Sequence, residues 1–276
     1  MDRIEDFRRV YAGMITAAAE VADPRIVEAF AAVPREDFLG QGPWDLMFDG
    51  VYARTPSDDP ACLYQNFLVA IDRERQLNNG EPVFLARMIG ALAAEAGEHI
   101  VHIGTGTGYY TAVLAEIVGP KGKVTAVEID PGLAERSRSN LAHFKQVEVV
   151  SGSGSELKMA KVDGIYVNAG ASHPLACWLD ALAPGGRLVL PLTTERGNGI
   201  VVKLTRRKKD FAARFISLTH IFACAGARNG KAAKRLAKTL ERGQWELIRS
   251  LRRDEHGRDE SCWLHGAGWC LSTRTA

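Results

Sequence analysis

VHIGTGTGYYTAVLAEIVG, residues 101–119, is the stretch that decides how this chain can fold. Gly104, Gly106 and Gly108 lie within five residues, directly after an apolar run and directly before a helical pattern. Glycine allows left-handed backbone angles and lets other atoms approach with no β-carbon in the way. The stretch therefore predicts a strand, a turn and a helix. The turn is either simply tight or shaped so that a ligand can lie against main-chain atoms.

Short apolar strands alternate with helical patterns on either side of this turn. The strand patterns, in chain order, are HIVHIG, KVTAVEID, VEVVSG, VDGIYVNAG and RLVLPL. The helical patterns between them are YYTAVLAEIVG, PGLAERSRSNLAHF and PLACWLDALAPGG. Nearly continuous apolar strands that alternate with helices are typical of a parallel sheet buried on both faces. The predicted fold class is therefore α/β, with a doubly wound and mostly parallel sheet.

The sequence before this sheet predicts helices and an irregular layer. Helical spacing covers residues 3–22 and 24–33, and the second helix opens at an Asp-Pro pair that suits an N-cap and first helical position. Residues 40–79 are rich in Pro, Gly, Asp and aromatic residues, which favours a surface layer or lid rather than a sheet core. Helical spacing then resumes over residues 82–97.

The sequence after the sheet predicts a more basic extension. Two antiparallel strands joined by a charged turn are predicted for GIVVKLTRRKKDFAARFISLTHIFAC. A basic amphipathic helix is predicted for residues 229–250, and one last strand for SCWLHGAGWCLS. Residues 203–258 hold 16 Lys and Arg against 5 Asp and Glu, a net +11 within a chain of net +2. A solvated helix face is the commonest reason for such a bias. Because the basic helix lacks interleaved aromatic residues, nucleic-acid binding is not expected.

Composition sets the class of protein. No apolar run approaches 18 residues and the first 20 residues are charged, so we expect a cytoplasmic protein with no membrane segment. The five cysteines are an odd number with no CxxC pair, and we found no Cys/His cluster at zinc spacing. We therefore expect reduced thiols and no metal. The cysteines are Cys62, Cys177, Cys224, Cys262 and Cys270.

An acidic residue 20 positions after Gly108 supports a ligand at the glycine turn. Glu128 ends the strand KVTAVEID, where a carboxylate can accept two hydrogen bonds from a ribose diol. Glycines and acid together favour a cofactor that contains adenosine, although a solvated strand end is an alternative for Glu128. A dinucleotide is disfavoured because the spacing is G-x-G-x-G and no basic or hydroxyl-rich extension offers to hold a pyrophosphate.

These segments resemble the protein-L-isoaspartate O-methyltransferase family, within the class I S-adenosylmethionine methyltransferases. The resemblance rests on VHIGTGTGYYTAVLAEIVGPKGKVTAVEIDPGLAERSRSNL, on RIVEAFAAVPREDF upstream and on VDGIYVNAGASHPLACWLDALAPGGRLVLPL downstream, and it spans roughly residues 24–222. It implies a seven-stranded Rossmann-like sheet and S-adenosylmethionine as cofactor. The segments would be 1–80, N-terminal helices and substrate side; 81–228, the cofactor-binding core; and 229–276, a C-terminal extension.

The resemblance also implies cofactor-binding residues. Four residues of the turn would lie along the methionine part, Glu128 would hold the ribose and Ile129 would pack on the adenine. The four turn residues are Gly104, Thr105, Gly106 and Gly108. Where the family has Gly-Asp-Gly near the adenine amino group, this chain has Ser153 between two glycines. A serine hydroxyl accepts that hydrogen bond more weakly, so we expect looser binding or compensation by Glu156.

A second departure lies on the acceptor side. The family carries Thr-Ile-Ser and one further residue ahead of its P-x-x-x-A-x-M helix, and this chain carries Asn78-Asn79-Gly80-Glu81 before Pro82. Both hydroxyl positions are gone, but amides can still donate N–H groups to a carboxylate. Asn78 and Asn79 therefore either orient the acceptor or form a plain turn.

Methyl transfer to a carboxylate needs alignment and desolvation more than a base. His173 is the candidate base if the acceptor is instead a hydroxyl or an amine, or it is a turn histidine. Asn168 either lines the acceptor pocket or forms a loop. Three functions stay open: an isoaspartyl-type carboxyl methyltransferase with a peptide or protein acceptor, a methyltransferase of the same fold with another acceptor such as a small molecule, and a non-catalytic binding or partner protein. For residues 229–276, covering the acceptor pocket, self-association and binding of an acidic partner are equally open.

Overall fold

The computed structural model describes residues 3–48, 50–208 and 210–276. The chain divides into two compact units. The first contains Met1–Gly97 and Thr105–Ser151, and the second contains Glu98–Gly104 and Gly152–Ala276. The functional segments 1–80, 81–228 and 229–276 stay a prediction. No helix among the described residues is long and apolar enough to cross a membrane.

Among the described residues of the first unit are five α-helices, and three of them begin in the same way. The helices are α1 Arg3–Ala18, α2 Pro24–Ala32, α3 Pro82–Leu92, α4 Tyr109–Val118 and α5 Pro131–Asn140. In α2, α3 and α5 an acidic N-cap precedes a proline, because the carboxylate accepts a free backbone N–H and proline lacks the N–H that would go unbonded. Asp23 accepts from the Arg25 N–H at 3.0 Å and Asp130 from the Leu133 N–H at 2.9 Å. The predicted starts of α2 and α5 are confirmed.

The interpretation of residues 40–79 as irregular was wrong. They contain a four-stranded antiparallel sheet in the order β2-β1-β3-β4. The strands are β1 Asp45–Phe48, β2 Val51–Arg54, β3 Leu68–Asp72 and β4 Leu77–Asn78. Strands of two to five residues show no clear alternation, and Leu46 of β1 pairs with Val69 of β3 far along the chain. A small core of Leu39, Trp44, Leu46, Leu63 and Val69 lies under this sheet.

A fully buried arginine explains the Val-Pro-Arg-Glu-x-Phe segment. The guanidinium of Arg35 donates to the carbonyls of Leu63 at 2.7 Å, Gln65 at 3.2 Å and Phe67 at 2.9 Å. These carbonyls lie at the end of a 3₁₀ turn and in the segment that follows it, and buried carbonyls need partners. Arg35 therefore holds the chain between the short 3₁₀ turn Pro60–Leu63 and β3 in place.

The remaining elements follow the predicted alternation, except that the predicted helix over residues 174–186 ends at Ala181 and a strand begins at Leu182. They are β5 His99–Ile103, β6 Lys123–Glu128, β7 Val147–Ser151, β8 Val162–Val167, α6 Ala176–Ala181, β9 Leu182–Thr193, β10 Asn198–Arg206, β11 Phe211–His220, α7 Gly230–Leu240, β12 Ser250–Arg252, β13 Cys262–Gly266 and β14 Trp269–Ser272. In the first unit β6 and β7 pair in parallel. In the second unit the strand order is β13-β14-β12-β11-β10-β9-β8-β5, with β5, β8 and β9 parallel and the rest antiparallel.

The C-terminal prediction needs two corrections. The predicted helix over 229–250 is α7 over Gly230–Leu240, and it ends because the chain turns through Gly243 and Gln244, which both have positive φ. The predicted single last strand is a hairpin of β13 and β14, with Gly268 at φ 73° in its turn. A glycine with left-handed backbone angles between two short apolar runs indicates a hairpin. This signal was missed because Gly268 lies in the sequence GAG, where either glycine could form the turn.

Candidate active site

The end of β6 in the first unit carries a buried acid with main-chain partners. Glu128 is 6% exposed, and its two carboxylate oxygens accept the Gly106 N–H at 2.7 Å and the Asp130 N–H at 3.0 Å. The Thr105 N–H donates to the carbonyl of Val127 at 3.3 Å. Thr105, Gly106 and Glu128, which the sequence predicted to share a site, therefore lie together. Each carboxylate oxygen keeps a lone pair for a further donor.

Glycine is required at Gly106 and at Gly108 for different physical reasons. Gly106 has φ 60°, and a β-carbon there would come no closer than 3.9 Å to another atom, at Ile71 Cδ1. Gly108 has φ 101°, and its β-carbon would lie 2.9 Å from Leu141 Cδ1 and 3.0 Å from Ser137 Oγ. Close packing of the start of α4 on α5 thus demands Gly108. At Gly106 a β-carbon would make only an ordinary contact with Ile71, so its positive φ is the reason for glycine there.

The side chains next to these residues fall into two groups. Ile129, predicted to pack on adenine, is 51% exposed although it is a large apolar residue. Tyr109 and Tyr110 are both buried, with ring centroids 4.9 Å apart. Their rings fill the core of the first unit because helix α4 is apolar on nearly every side.

The sequence pattern missed Thr107. Its side chain is fully buried, and its hydroxyl has no hydrogen-bond partner. Its carbonyl accepts from Asn140 Nδ2 at 2.9 Å, which fixes the turn from the side of α5. The only sequence signal for Thr107 was its place between Gly106 and Gly108.

The two asparagines of the acceptor-side loop differ. Asn78 is engaged on both sides: its Oδ1 accepts from the Tyr52 hydroxyl at 2.8 Å and its Nδ2 donates to the Gln76 carbonyl at 2.9 Å. Asn79 is 7% exposed and its Nδ2 has no hydrogen-bond partner. The side chain of Asn78 is therefore held within the loop, whereas the Nδ2 of Asn79 is buried without a hydrogen-bond partner.

In the second unit, the end of β5 meets the end of β8. Gly104 has φ 83°, and a β-carbon there would lie 3.1 Å from the carbonyl oxygen of Asn168. Asn168 follows β8, is half-buried, and its Nδ2 lies 3.4 Å from the Gly104 carbonyl oxygen. Its N–H donates to the Ile103 carbonyl at 2.8 Å. Gly104 is thus required by the close approach of two strand ends, and Asn168 fixes that approach.

Ser153 replaces the expected acid without any ion partner. Its hydroxyl lies 2.7 Å from that of Ser155, and it accepts the Ser155 N–H at 3.3 Å. Glu156 is exposed. The hydroxyl pair is a neutral hydrogen-bonding group, which is weaker toward an amino group than a carboxylate is.

His173 lies in the loop after β8. Its Nδ1 is 3.0 Å from the hydroxyl of Ser172, which in turn accepts the Asn229 N–H at 2.8 Å. Burial, with a smaller contribution from the Arg228 guanidinium, lowers the pKa of His173. The imidazole is therefore neutral at pH 7, as a general base must be, but its hydrogen bonding to Ser172 equally suits a turn.

These features can be compared with known proteins. The sequence model of the family described as Protein-L-isoaspartate(D-aspartate) O-methyltransferase matches residues 14–223. A protein-L-isoaspartate O-methyltransferase 1 from Rhodopseudomonas palustris (strain HaA2) is 34% identical over 206 residues, which are 73% of this chain and 75% of that protein. The chain belongs to this family. Its members are S-adenosylmethionine-dependent O-methyltransferases, so the predicted family, enzyme class and cofactor are confirmed.

Solved structures support the fold of the family. A protein-L-isoaspartate O-methyltransferase gives a TM-score of 0.67 at 23% identity, over 89% of this chain and 72% of that one. A putative protein-L-isoaspartate O-methyltransferase from Plasmodium falciparum, in complex with S-adenosyl-L-homocysteine, gives 0.62 at 16% identity, over 79% and 97%. At these identities the likeness shows the fold alone, and it confirms the class I methyltransferase architecture. Residues 224–276 lie beyond the range that the family model matches.

Proposed function

We propose that this chain methylates an isoaspartyl-type carboxylate of a peptide or protein, with the methyl donor held through Glu128. The observation that carries the proposal is the buried Glu128 carboxylate, fixed by the Gly106 and Asp130 N–H groups. A buried carboxylate that is already oriented can accept the two hydroxyls of a ribose without further ordering. The exposed Ile129 supports an apolar contact with the adenine ring.

The other proposed donor contacts come from the glycine turn and from Ser153. Thr105, Gly106 and Gly104 present main chain to the methionine part, while Gly108 maintains the helix packing behind the turn. Ser153 takes the place of the family's acid near the adenine amino group, and we propose that it binds this group more weakly. A lower donor affinity than that of an acid-containing relative follows from this substitution.

The acceptor side is proposed to depend on Asn79. Its buried Nδ2 has no partner, and a buried donor without a partner costs free energy that a carboxylate oxygen can recover. Asn78 holds the loop through Tyr52 and Gln76 rather than touching the acceptor. Asn168 and His173 belong to the second unit and are proposed as pocket residues without a proton-transfer role.

When bound, S-adenosylmethionine would supply a methyl group to the acceptor carboxylate, with S-adenosylhomocysteine as the leaving group. The protein's contribution is then to orient the acceptor and to exclude water, because a carboxylate is already ionised at pH 7. No general base is needed on this pathway. A neutral His173 is compatible with this pathway, since a protonated imidazole would form an ion pair with the acceptor carboxylate and make it less nucleophilic.

The test uses a peptide with one isoaspartyl residue, the same peptide with an ordinary aspartyl residue, and donor labelled on the methyl group. We expect base-labile label on the isoaspartyl peptide alone, since methyl esters hydrolyse in base. Label on neither peptide, together with donor binding seen by calorimetry, would point to a different acceptor. Absence of donor binding would instead support the non-catalytic alternative. Cytoplasmic location and self-association through residues 229–276 stay predictions.

A further inference from the structure

Four side chains that can bind a metal meet in the second unit, outside the range matched by the family. They are His256, Cys262, His265 and Cys270, which we call the His/Cys cluster. One nitrogen or sulfur atom from each lies within 4.8 Å of the corresponding atoms of the other three. Sequence reasoning missed this cluster because its spacing, H-x₅-C-x₂-H-x₄-C, includes only one short pair, in CWLH.

The hairpin explains how the cluster forms. His265 of β13 and Cys270 of β14 are directly paired across the hairpin, so their side chains share one face. Residues three apart in a regular strand point to opposite faces, which would separate Cys262 from His265. The register of β13 shifts between Cys262 and Leu264, however, and a bulge of this kind turns a side chain to the other face. His256 reaches the same place from the loop after β12.

We propose that His256, Cys262, His265 and Cys270 bind one zinc ion in a closed structural site. Cys262 Sγ lies 3.5 Å from His256 Nε2 and 3.8 Å from His265 Nδ1. Zinc bond lengths of about 2.3 Å to sulfur and about 2.0 Å to nitrogen place tetrahedral ligand atoms roughly 3.3–3.8 Å apart. The distances around Cys262 therefore already match a tetrahedral site.

The surroundings of the cluster are those of zinc ligands. The His256 Nδ1 lies 2.9 Å from the Asp254 carbonyl oxygen and 3.3 Å from its carboxylate, so Nε2 is the free nitrogen that faces the cluster. The Asp259 N–H donates to Cys262 Sγ at 3.3 Å. Hydrogen bonds of this kind orient metal ligands and tune their basicity.

Charge balance also favours a divalent metal. Cys270 is fully buried and Cys262 is 5% exposed. On zinc binding both thiols lose their protons to water, and the two thiolates balance the two positive charges of the ion.

The donor set selects zinc and a structural role. Two sulfurs and two imidazole nitrogens in a tetrahedron are typical of zinc. Four protein ligands leave no open position for water or substrate, so the ion would not take part in methyl transfer. It would tie the loop over residues 253–261, which has neither helix nor strand, to the last hairpin of the chain.

The test measures zinc in the full-length chain. Protein treated with a chelator and a reducing agent is dialysed against Zn²⁺ and analysed for metal by mass spectrometry. We expect one zinc per chain in the wild type and loss of zinc in Cys262→Ser. Cys177→Ser removes an exposed thiol outside the cluster and is expected to keep one zinc. Cobalt added in place of zinc should give the intense visible absorption of a tetrahedral site with thiolate ligands.

His256→Ala keeps the test decisive if Cys262→Ser fails to fold, because His256 lies in a loop outside the hairpin strands. We expect this variant to bind zinc at least about tenfold more weakly, since loss of a ligand or of its support typically has that effect. Less than stoichiometric zinc in reduced wild-type protein would overturn the proposal. Unchanged affinity in His256→Ala, or a disulfide between Cys262 and Cys270 in protein purified without oxygen, would overturn it as well.

Discussion

The glycine turn with Glu128 and the His/Cys cluster were unequally visible in the sequence. The first uses consecutive residues and one strand end, so its parts could be named from spacing alone. The second depends on which residues of β13 and β14 pair, and on a bulge that turns Cys262 toward His265. Local motifs therefore reveal a site when main-chain atoms form it. They fail when strand register brings its side chains together.

The largest expected effect tests whether the visible region is the donor site. Replacing Glu128 with Ala removes the proposed ribose acceptors, and charge-assisted hydrogen bonds contribute about 1.5–3 kcal/mol each. We expect the Kd for S-adenosylhomocysteine, measured by calorimetry, to rise by roughly a hundredfold or more. Glu148→Ala is the control, because Glu148 lies on β7 with 60% of its side chain exposed. Equal affinities of the two variants for S-adenosylhomocysteine would show that the donor does not bind at the glycine turn with Glu128.

The second test concerns a buried histidine that lies just before the glycine turn. His102 of β5 is fully buried, and burial lowers its pKa to about 3. Its unfolded pKa is about 6.5, so folding favours the neutral form; this stability is present above pH 6.5 and is lost as the pH falls toward 3. Between pH 6.5 and pH 5 the loss amounts to about 2 kcal/mol. The free energy of unfolding, measured in urea at both pH values, should show this loss.

His102→Gln is the variant that isolates this effect, because glutamine keeps hydrogen-bonding groups and does not titrate. We expect its free energy of unfolding to fall by about 2 kcal/mol less than that of the wild type over the same pH range. Identical pH dependence in the two proteins would mean that His102 becomes protonated in the folded state. His102 is kept neutral by burial, whereas the imidazoles of the His/Cys cluster are proposed to be kept neutral by binding a metal.

The third test separates two reasons for glycine. Gly97 and Gly108 both have positive φ, but a β-carbon at Gly97 would meet nothing within 4 Å, while at Gly108 it would meet Leu141 and Ser137. Gly97→Ala should cost only the left-handed backbone, about 1 kcal/mol. Gly108→Ala should cost a further 1–2 kcal/mol or so for overpacking between α4 and α5. The two midpoints of urea unfolding measure the difference, and equal midpoints would show that packing does not restrict the turn.

Much of the fold could be predicted from the sequence, and the exceptions share a cause. Strands β5 to β11 and the proline-capped helices follow from apolar runs and Asp-Pro signals that act within a few residues. The four-stranded sheet of residues 45–78 escaped because its strands are short and its pairing joins distant residues. Within the site, Glu128 and Gly106 could be predicted. The burial of Thr107 and the engaged amide of Asn78 could not, since partners at other points in the chain decide them.

The smallest expected effect applies the same contrast to two adjacent residues whose roles the sequence left open. Asn79→Ala removes an Nδ2 that has no partner, so the free energy of unfolding should change little. The kcat/KM for an isoaspartyl peptide should fall about fivefold, which is about 1 kcal/mol of lost hydrogen bonding to the acceptor. Asn78→Ala loses the 2.8 Å bond from Tyr52 and should cost about 1 kcal/mol of stability with kcat/KM unchanged. Steady-state kinetics and urea unfolding of both variants give this double dissociation. If Asn78→Ala impaired kcat/KM and Asn79→Ala did not, the acceptor would be held by the residue that the loop already engages, and the unpartnered amide would have no part in binding.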